Sequence, residues 1–239
     1  MYKLLVSDFD GTLVGEELAI SFPVVLAIDK IRREKKVLFA IATSRCLGDI
    51  LYYNRDFSFL DYVVVSNGAV VYDVNKEKIL FKKSVLVSNV KKIYNTFKGY
   101  DIYACRKDRK FRLVNLEDIK DIYKLEIVCK SDIDREEIIS RLNKLCLKIT
   151  CTKNYINGTY YVDIVYEGIN KFTGVEVICN KKNIDICDVI SIGEGDNDIE
   201  LVRDSGYGVS TNKGIDKVKE VSKEVMTNSL DKWIGEKFK

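Results

Sequence analysis

A chain of 239 residues is long enough for one large domain or two modest ones, and for a substantial hydrophobic core. Its net charge of +3 is too mild to argue for nucleic acid, and no stretch approaches the roughly 20 consecutive apolar residues of a membrane span. The complete absence of histidine excludes Ser-His-Asp and Cys-His catalysis, histidine phosphotransfer and histidine-ligated metals. Acid–base work therefore falls to Asp, Glu, Lys, Tyr or Cys. The seven cysteines are odd in number and form no C-x-x-C pair, so neither a zinc site nor a disulfide framework is expected. Met1-Tyr2-Lys3 leads straight into a strand-like run, which leaves no room for a signal peptide and predicts a cytoplasmic protein.

Lys3–Ser7 reads as a short strand that ends in Asp8-Phe9-Asp10-Gly11-Thr12. A helix opens near Ser21 with Pro23 in its first turn, carries Val24, Val25, Ala27, Ile28 and Ile31 at helical spacing, and closes on the charged run 32–36. Val37–Ala42 is continuously apolar, as in a strand buried on both faces of a parallel sheet, and ends in Thr43-Ser44-Arg45. A helix over Leu47–Asn54 and a strand over Tyr62–Ser66 follow, then Asn67-Gly68. The last third repeats this grammar: a helix over Lys171–Asn180, a strand over Val189–Ile192 ending in Gly193-Glu194-Gly195-Asp196-Asn197-Asp198, another helix, and a short strand over Gly206–Ser210. Strands alternating with helices predict a doubly wound, mostly parallel α/β sheet of the Rossmann type.

The middle of the chain differs. Strand-like runs at Ile79–Lys83, Asp101–Cys105, Phe111–Val114, Leu125–Cys129, Leu147–Thr152 and Thr159–Tyr166 surround two helices, Asn89–Lys98 and Asp134–Cys146, and Asn157-Gly158 is a hairpin signal. Residues 81–167 are therefore expected to form an α+β domain inserted into a core made of 1–80 and 168–239. Residues 82–166 hold 18 Lys/Arg against 11 Asp/Glu, a net of +7, and the remainder holds 21 against 25, a net of −4. A basic insertion facing an acidic core would draw an anionic substrate into the cleft between them; a solvated lysine-rich surface is the alternative.

The chemistry gathers at strand ends, where open α/β sheets bind ligands. Asp8 can act there as a nucleophile toward phosphorus, giving an aspartyl-phosphate. Asp10, two residues on and directed to the same side, can protonate the leaving oxygen and then deprotonate the hydrolytic water. Gly11 and Thr12 allow a sharp turn that presents backbone N–H groups to phosphate. Thr43 can hydrogen-bond a phosphoryl oxygen, and Lys171, at a helix start, can neutralise its charge. The three carboxylates of Glu194–Asp198 suit a hard Mg²⁺.

Taken together, Asp8-Phe9-Asp10-Gly11-Thr12-Leu13, Thr43, Lys171 and Gly193–Asp198 resemble the four motifs of the haloacid dehalogenase superfamily. The insertion, with Ser66-Asn67-Gly68-Ala69 before it and Gly168-Ile169-Asn170-Lys171 after it, is similar to the cap of the Cof-type branch. The resemblance implies a Mg²⁺-dependent phosphatase acting on a small phosphorylated metabolite such as a sugar phosphate or phosphoglycolate, with no nucleic acid or membrane partner. Asp8 would be the nucleophile, Asp10 the acid/base, and Thr43 and Lys171 phosphoryl ligands. The ion would be held by Asp8, the Asp10 backbone and Glu194 or Asp198. Ser44, Arg45, Asn67 and Asn197 would contact phosphate or substrate.

Two departures stand out. Glu194 occupies the position where the family's Gly-Asp-x-x-Asn-Asp has its first Asp, and Asn212-Lys213-Gly214 replaces the usual Gly-Asn-Ala, bringing Lys213 near the site. A mutase of the same family, or a weakly active binding protein marked by Glu194, is the alternative. A receiver-type signalling module also phosphorylates a strand-end Asp, but has no large insertion. In the insertion, Arg106, Lys107, Arg109, Lys110 and Arg112 either select an anionic substrate or form an exposed hairpin. Oligomeric state, monomer or homodimer, is open, and Trp233 is expected in the core.

Overall fold

The computed structural model describes residues 2–15, 19–54, 58–117, 119–145, 147–153 and 159–239. The expected Asn157-Gly158 hairpin and Cys146 lie outside them. Strands β1 (Leu4–Ser7), β2 (Leu38–Ala42) and β3 (Tyr62–Val65) are joined by α1 (Phe22–Lys35) and α2 (Leu47–Asn54), and an antiparallel hairpin of β4 (Val70–Asp73) and β5 (Lys78–Lys82) extends them. In the second half α5 (Lys171–Lys182), β11 (Val189–Gly193), α6 (Ile199–Asp204), β12 (Tyr207–Ser210), α7 (Asp216–Val221), β13 (Glu224–Val225) and α8 (Leu230–Lys237) follow.

These strands form one eight-stranded sheet in the order β13-β12-β11-β1-β2-β3-β4-β5, parallel from β13 to β3. Successive residues of β1 enter different cores. Leu5 packs with Ile28, Phe39, Ile41 and Trp233, whereas Leu4 and Val6 pack with Ala40, Val175 and Ile178. Helices therefore cover both faces, and the continuous apolar strands owe their composition to that double burial. The chain runs outward from β1 through β2 and β3, then crosses to β11 on the other side. The crevice beyond the carboxyl ends of β1 and β11 is thus the switch point of the sheet.

A second, fully antiparallel sheet has the order β7-β6-β8-β10-β9, built from β6 (Ile102–Cys105), β7 (Lys110–Arg112), β8 (Lys124–Val128), β9 (Leu147–Lys153) and β10 (Tyr160–Tyr166). One of its faces packs Ala104, Leu125, Ile127, Val162 and Ile164 against α3 (Val87–Thr96) and α4 (Asp132–Leu142). The alternate residues Lys124, Glu126 and Asp163 lie on the other face.

One sequence expectation needs correction. The run Ile79–Lys83, read as part of the insertion, forms β5 at the edge of the large sheet; its partner β4 has no sequence signal, because three apolar residues and an Asp after a turn carry no periodicity of their own. The edge carries exposed Lys78 and Lys82, which discourage pairing with another chain.

Candidate active site

β1 delivers Asp8 to the crevice. Its backbone N–H donates to Ile192 O (2.9 Å), prolonging the β1–β11 ladder, so the carboxylate is fixed where the strand stops. The next residues fold back at once: Leu13 and Val14 N–H groups donate to Phe9 O, and Gly11 N–H to Val14 O (2.7 Å), with Gly11 at φ +80° where an L side chain would be strained. Phe9 is buried in the core below, and Asp8 and Asp10 on either side of it both line the cavity, as period-two alternation predicts.

Lys171 opens α5 behind Asn170, which caps the helix reciprocally with Thr173. Its buried ammonium donates to Asp8 Oδ1 (2.7 Å) and Asp198 Oδ1 (2.7 Å). The helix start is pressed against the turn Ser66–Gly68: a Cβ at Gly68 would lie 1.9 Å from Asn170 O, so only glycine permits the approach. Asp198 has no free oxygen, because Oδ2 accepts the backbone N–H groups of Glu194 (3.0 Å) and Gly195 (2.9 Å). Glu194, also buried, accepts from Thr211 Oγ1 (3.0 Å) and faces the cavity, which Asp198 does not.

Burial, then the neighbouring Asp198 charge, pushes Asp8 well above the usual carboxylate range, against the pull of Lys171. Burial alone would discharge Lys171, but Asp198 and Asp8 outweigh it and hold the amine ionised. The buried acids Asp8, Asp198 and Glu194 thus exceed the one buried cation bonded to them. That surplus of oxygen donors is chemically suited to a hard divalent cation. Among the described residues no three His, Asp, Glu or Cys side chains converge as a ready metal cluster.

Arg45 closes the other side, its Nε and Nη2 donating to both oxygens of Asp10 (2.9 and 2.7 Å) while its guanidinium lies 5.1 Å from the Phe9 ring. Above these groups a cavity of about 780 Å³ opens between the two sheets. Its core wall includes Asp8, Asp10, Gly11, Ser44, Arg45, Glu194, Asn197 and Lys213, all singled out by sequence. Thr12, Thr43, Asn67, Lys171 and Asp198 stand behind that wall. Thr43 is fully buried and its Oγ1 accepts the Arg45 N–H (3.1 Å), whereas the buried Thr12 hydroxyl has no partner among the described residues. Asn67 makes no approach to the cavity: its carboxamide bridges Asn197 and Asp163.

Sequence reasoning missed most of the opposite wall: Cys105, Glu126, Cys151, Tyr160 and Tyr161. The available signal was the alternation of β8, with Lys124 and Glu126 at every second position, and the single charge, Asp163, in the otherwise uncharged β10. Of the five basic candidates only Lys110 lines the cavity, where it pairs with Glu126. Arg112 pairs with Asp101, and Arg106 and Arg109 lie over the Phe111 ring. The described cavity wall of the insertion is therefore balanced in charge, and its basic excess lies elsewhere.

These features define an open-sheet α/β protein with a buried carboxylate, Asp8, at the switch point of the sheet beneath an α+β layer. The chain belongs to the haloacid dehalogenase-like hydrolase family, whose model matches residues 5–115 and 105–232. It is 28% identical over 241 residues to a phosphoglycolate phosphatase of Methanosarcina mazei, covering 96% of this chain and 92% of that one. It is 24% identical over 237 residues to a 5-amino-6-(5-phospho-D-ribitylamino)uracil phosphatase of Bacillus subtilis, covering 96% and 91%. In structure it is similar to a phosphatase of the haloalkanoate enzyme superfamily from Bacteroides thetaiotaomicron, with a TM-score of 0.82 at 19% identity over 99% of this chain and 95% of that one.

Proposed function

We propose that this hydrolase is a Mg²⁺-dependent phosphatase of small phosphomonoesters, sugar phosphates or phosphoglycolate foremost, working through an aspartyl-phosphate on Asp8. The carrying observation is the position of Asp8: at the end of β1, on the cavity floor, 2.7 Å from a buried ammonium. The Asp8 carboxylate attacks phosphorus while Asp10, aimed by Arg45, gives its proton to the departing ester oxygen. Asp10 then takes a proton from water as that water attacks the same phosphorus, releasing inorganic phosphate and regenerating Asp8. Lys171 offsets charge on the equatorial phosphoryl oxygens.

Asp8, the Asp10 backbone and Glu194 would hold the Mg²⁺, which when bound supplies positive charge against the phosphoryl oxygens and the nucleophile. Asp198 is the weaker candidate ligand, since both its oxygens are already engaged in orienting Lys171 and the loop. Residues 81–167 act as a cap that excludes water and selects the leaving group, with β5 running two residues past that boundary. Small phosphorylated metabolites and unpaired thiols among the described residues suit a cytoplasmic setting. No helix among the described residues is long and apolar enough to cross a membrane.

The test is phosphate release from a panel of phosphoglycolate, hexose phosphates, sucrose phosphate, nucleoside monophosphates and an aryl phosphate, with Mg²⁺ and with EDTA. Magnesium-dependent release lost in Asp8→Asn is expected. Release from none of them, or release that survives Asp8→Asn, overturns the reading.

A further inference from the structure

Asn67 sits in a turn whose three residues all have positive φ: Ser66 at 52°, Asn67 at 54° and Gly68 at 98°. Two consecutive non-glycine residues in that region cost about 1–3 kcal/mol each, and persist only where the surroundings over-determine them. Here the surroundings do. Ser66 N–H donates to Arg45 O (2.9 Å), Asn67 N–H donates to Thr43 O (3.0 Å), and Gly68 packs on Asn170 directly before Lys171.

The turn aims one carboxamide at the junction of the two sheets. Asn67 Nδ2 donates to Asp163 Oδ2 (3.0 Å) on β10, and its Oδ1 accepts from Asn197 Nδ2 (3.0 Å) in the acidic loop. Beyond Asp163 the contacts continue through fully buried Lys124 (3.3 Å), then Glu126, then Lys110 at the cavity wall. Beyond Asn197 the next residue is Asp198, which holds Lys171 against Asp8. An almost unbroken file of buried polar groups thus runs from the insertion's cavity wall to the carboxylate on the floor. Both polar atoms of the Asn67 side chain are committed within it, so the residue is not spare for a phosphate.

We propose that Asn67 is a positioning residue that joins the Lys110–Glu126 pair to the Asp8–Lys171–Asp198 cluster, so that turnover depends on a leaving group engaging that pair. The inference rests on the phosphatase reading for its kinetic consequence and on geometry for the linkage itself. A leaving group that reaches the insertion holds Glu126 and Lys110, and through Lys124 and Asp163 the carboxamide, in the arrangement seen here. One too small to reach it draws nothing from the file.

The experiment compares wild type, Asn67→Ala, Lys110→Met and the double variant on the best substrate of the panel and on acetyl phosphate. Asn67→Ala is expected to lower kcat on the larger substrate about tenfold with little change in KM, and to spare acetyl phosphate. The double variant should lose no more than the worse single one, the non-additivity of a shared network. A raised KM with kcat intact, equal loss on both substrates, or additive losses would overturn the proposal. Hydrogen exchange supplies a readout independent of activity: Asn67→Ala should speed exchange in both β10 and the loop 194–198, and acceleration confined to one side counts against the linkage. If Asn67→Ala does not fold, Asn197→Ala, outside the strained turn, is put through the exchange measurement alone: faster exchange in β10 is expected, and unchanged exchange there counts against the linkage. Wild type inactive on every compound removes the phosphatase reading, while the exchange result still decides the linkage.

Discussion

Replacing Lys171 with Met removes the ammonium and leaves a chain of similar length between Asp8 and Asp198. Both carboxylates are at least nine-tenths buried and each is 2.7 Å from the lost nitrogen, so the variant holds two uncompensated charges side by side. Breaking a buried pair in this way costs about 3–5 kcal/mol. At about 2–4 °C per kcal/mol for a chain of this size, Tm should fall by about 6–20 °C.

The loss has a defined pH dependence. Asp8 is already raised in the folded state, by burial and then by Asp198, and Lys171 is what restrains it. A carboxyl raised on folding binds more protons in the native than in the unfolded chain, so stability falls as pH rises above the unfolded value of about 3.9. Removing Lys171 extends that window upward. The deficit relative to wild type should therefore be largest at pH 8 and smaller at pH 5, where Asp8 can take up a proton. Thermal denaturation of both proteins at the two pH values, in EDTA, measures it. Phosphate release should fall by about 10²–10³, the usual cost of removing a preorganised electrostatic contact. An unchanged Tm at pH 8, or a deficit equal at both pH values, would refute the reasoning.

Asp8→Asn should raise Tm by several degrees, more at pH 8 than at pH 5, while abolishing phosphate release, because it deletes a buried charge that burial and Asp198 oppose. Gly68→Ala should cost at least about 1–3 kcal/mol from its φ of +98° alone, with the Asn170 contact adding to it, so denaturation should show a lower Tm and turnover should drop as Lys171 shifts. Arg45→Lys keeps the charge but loses the two-pronged grip on Asp10; kcat should fall about tenfold while Tm barely moves, since the pair is only partly buried. Retention of full kcat in Arg45→Lys would show that Asp10 needs no such guide.

Much of the fold was legible because local signals agreed. The apolar run before Thr43 and the charged stop after Ile31 became β2 and the end of α1. Trp233 is in the core as expected, with Nε1 donating to Glu224 (2.7 Å). The large sheet's hairpin was not legible, since strand partners at an edge are chosen by the space beside β3 rather than by any periodicity in Val70–Asp73. The basic character of the insertion was also misleading as to place: total charge is additive along a chain, whereas the field in a cleft depends on which side chains line it, and there Lys110 is matched by Glu126.

By itself the sequence determined which chemistry is available. With no histidine, acids at two strand ends and one lysine opening a helix, the candidate groups were restricted to Asp8, Asp10, Lys171 and the loop Glu194–Asp198, because strand alternation and helix capping act over a few residues. Tertiary structure alone decided which of them meet. Lys171 lies between Asp8 and Asp198 though 163 and 27 residues separate it from them in the chain. Asn67 reaches 96 residues to Asp163 and 130 to Asn197, a pairing no local rule encodes, because it arises where two separately patterned sheets close on one another.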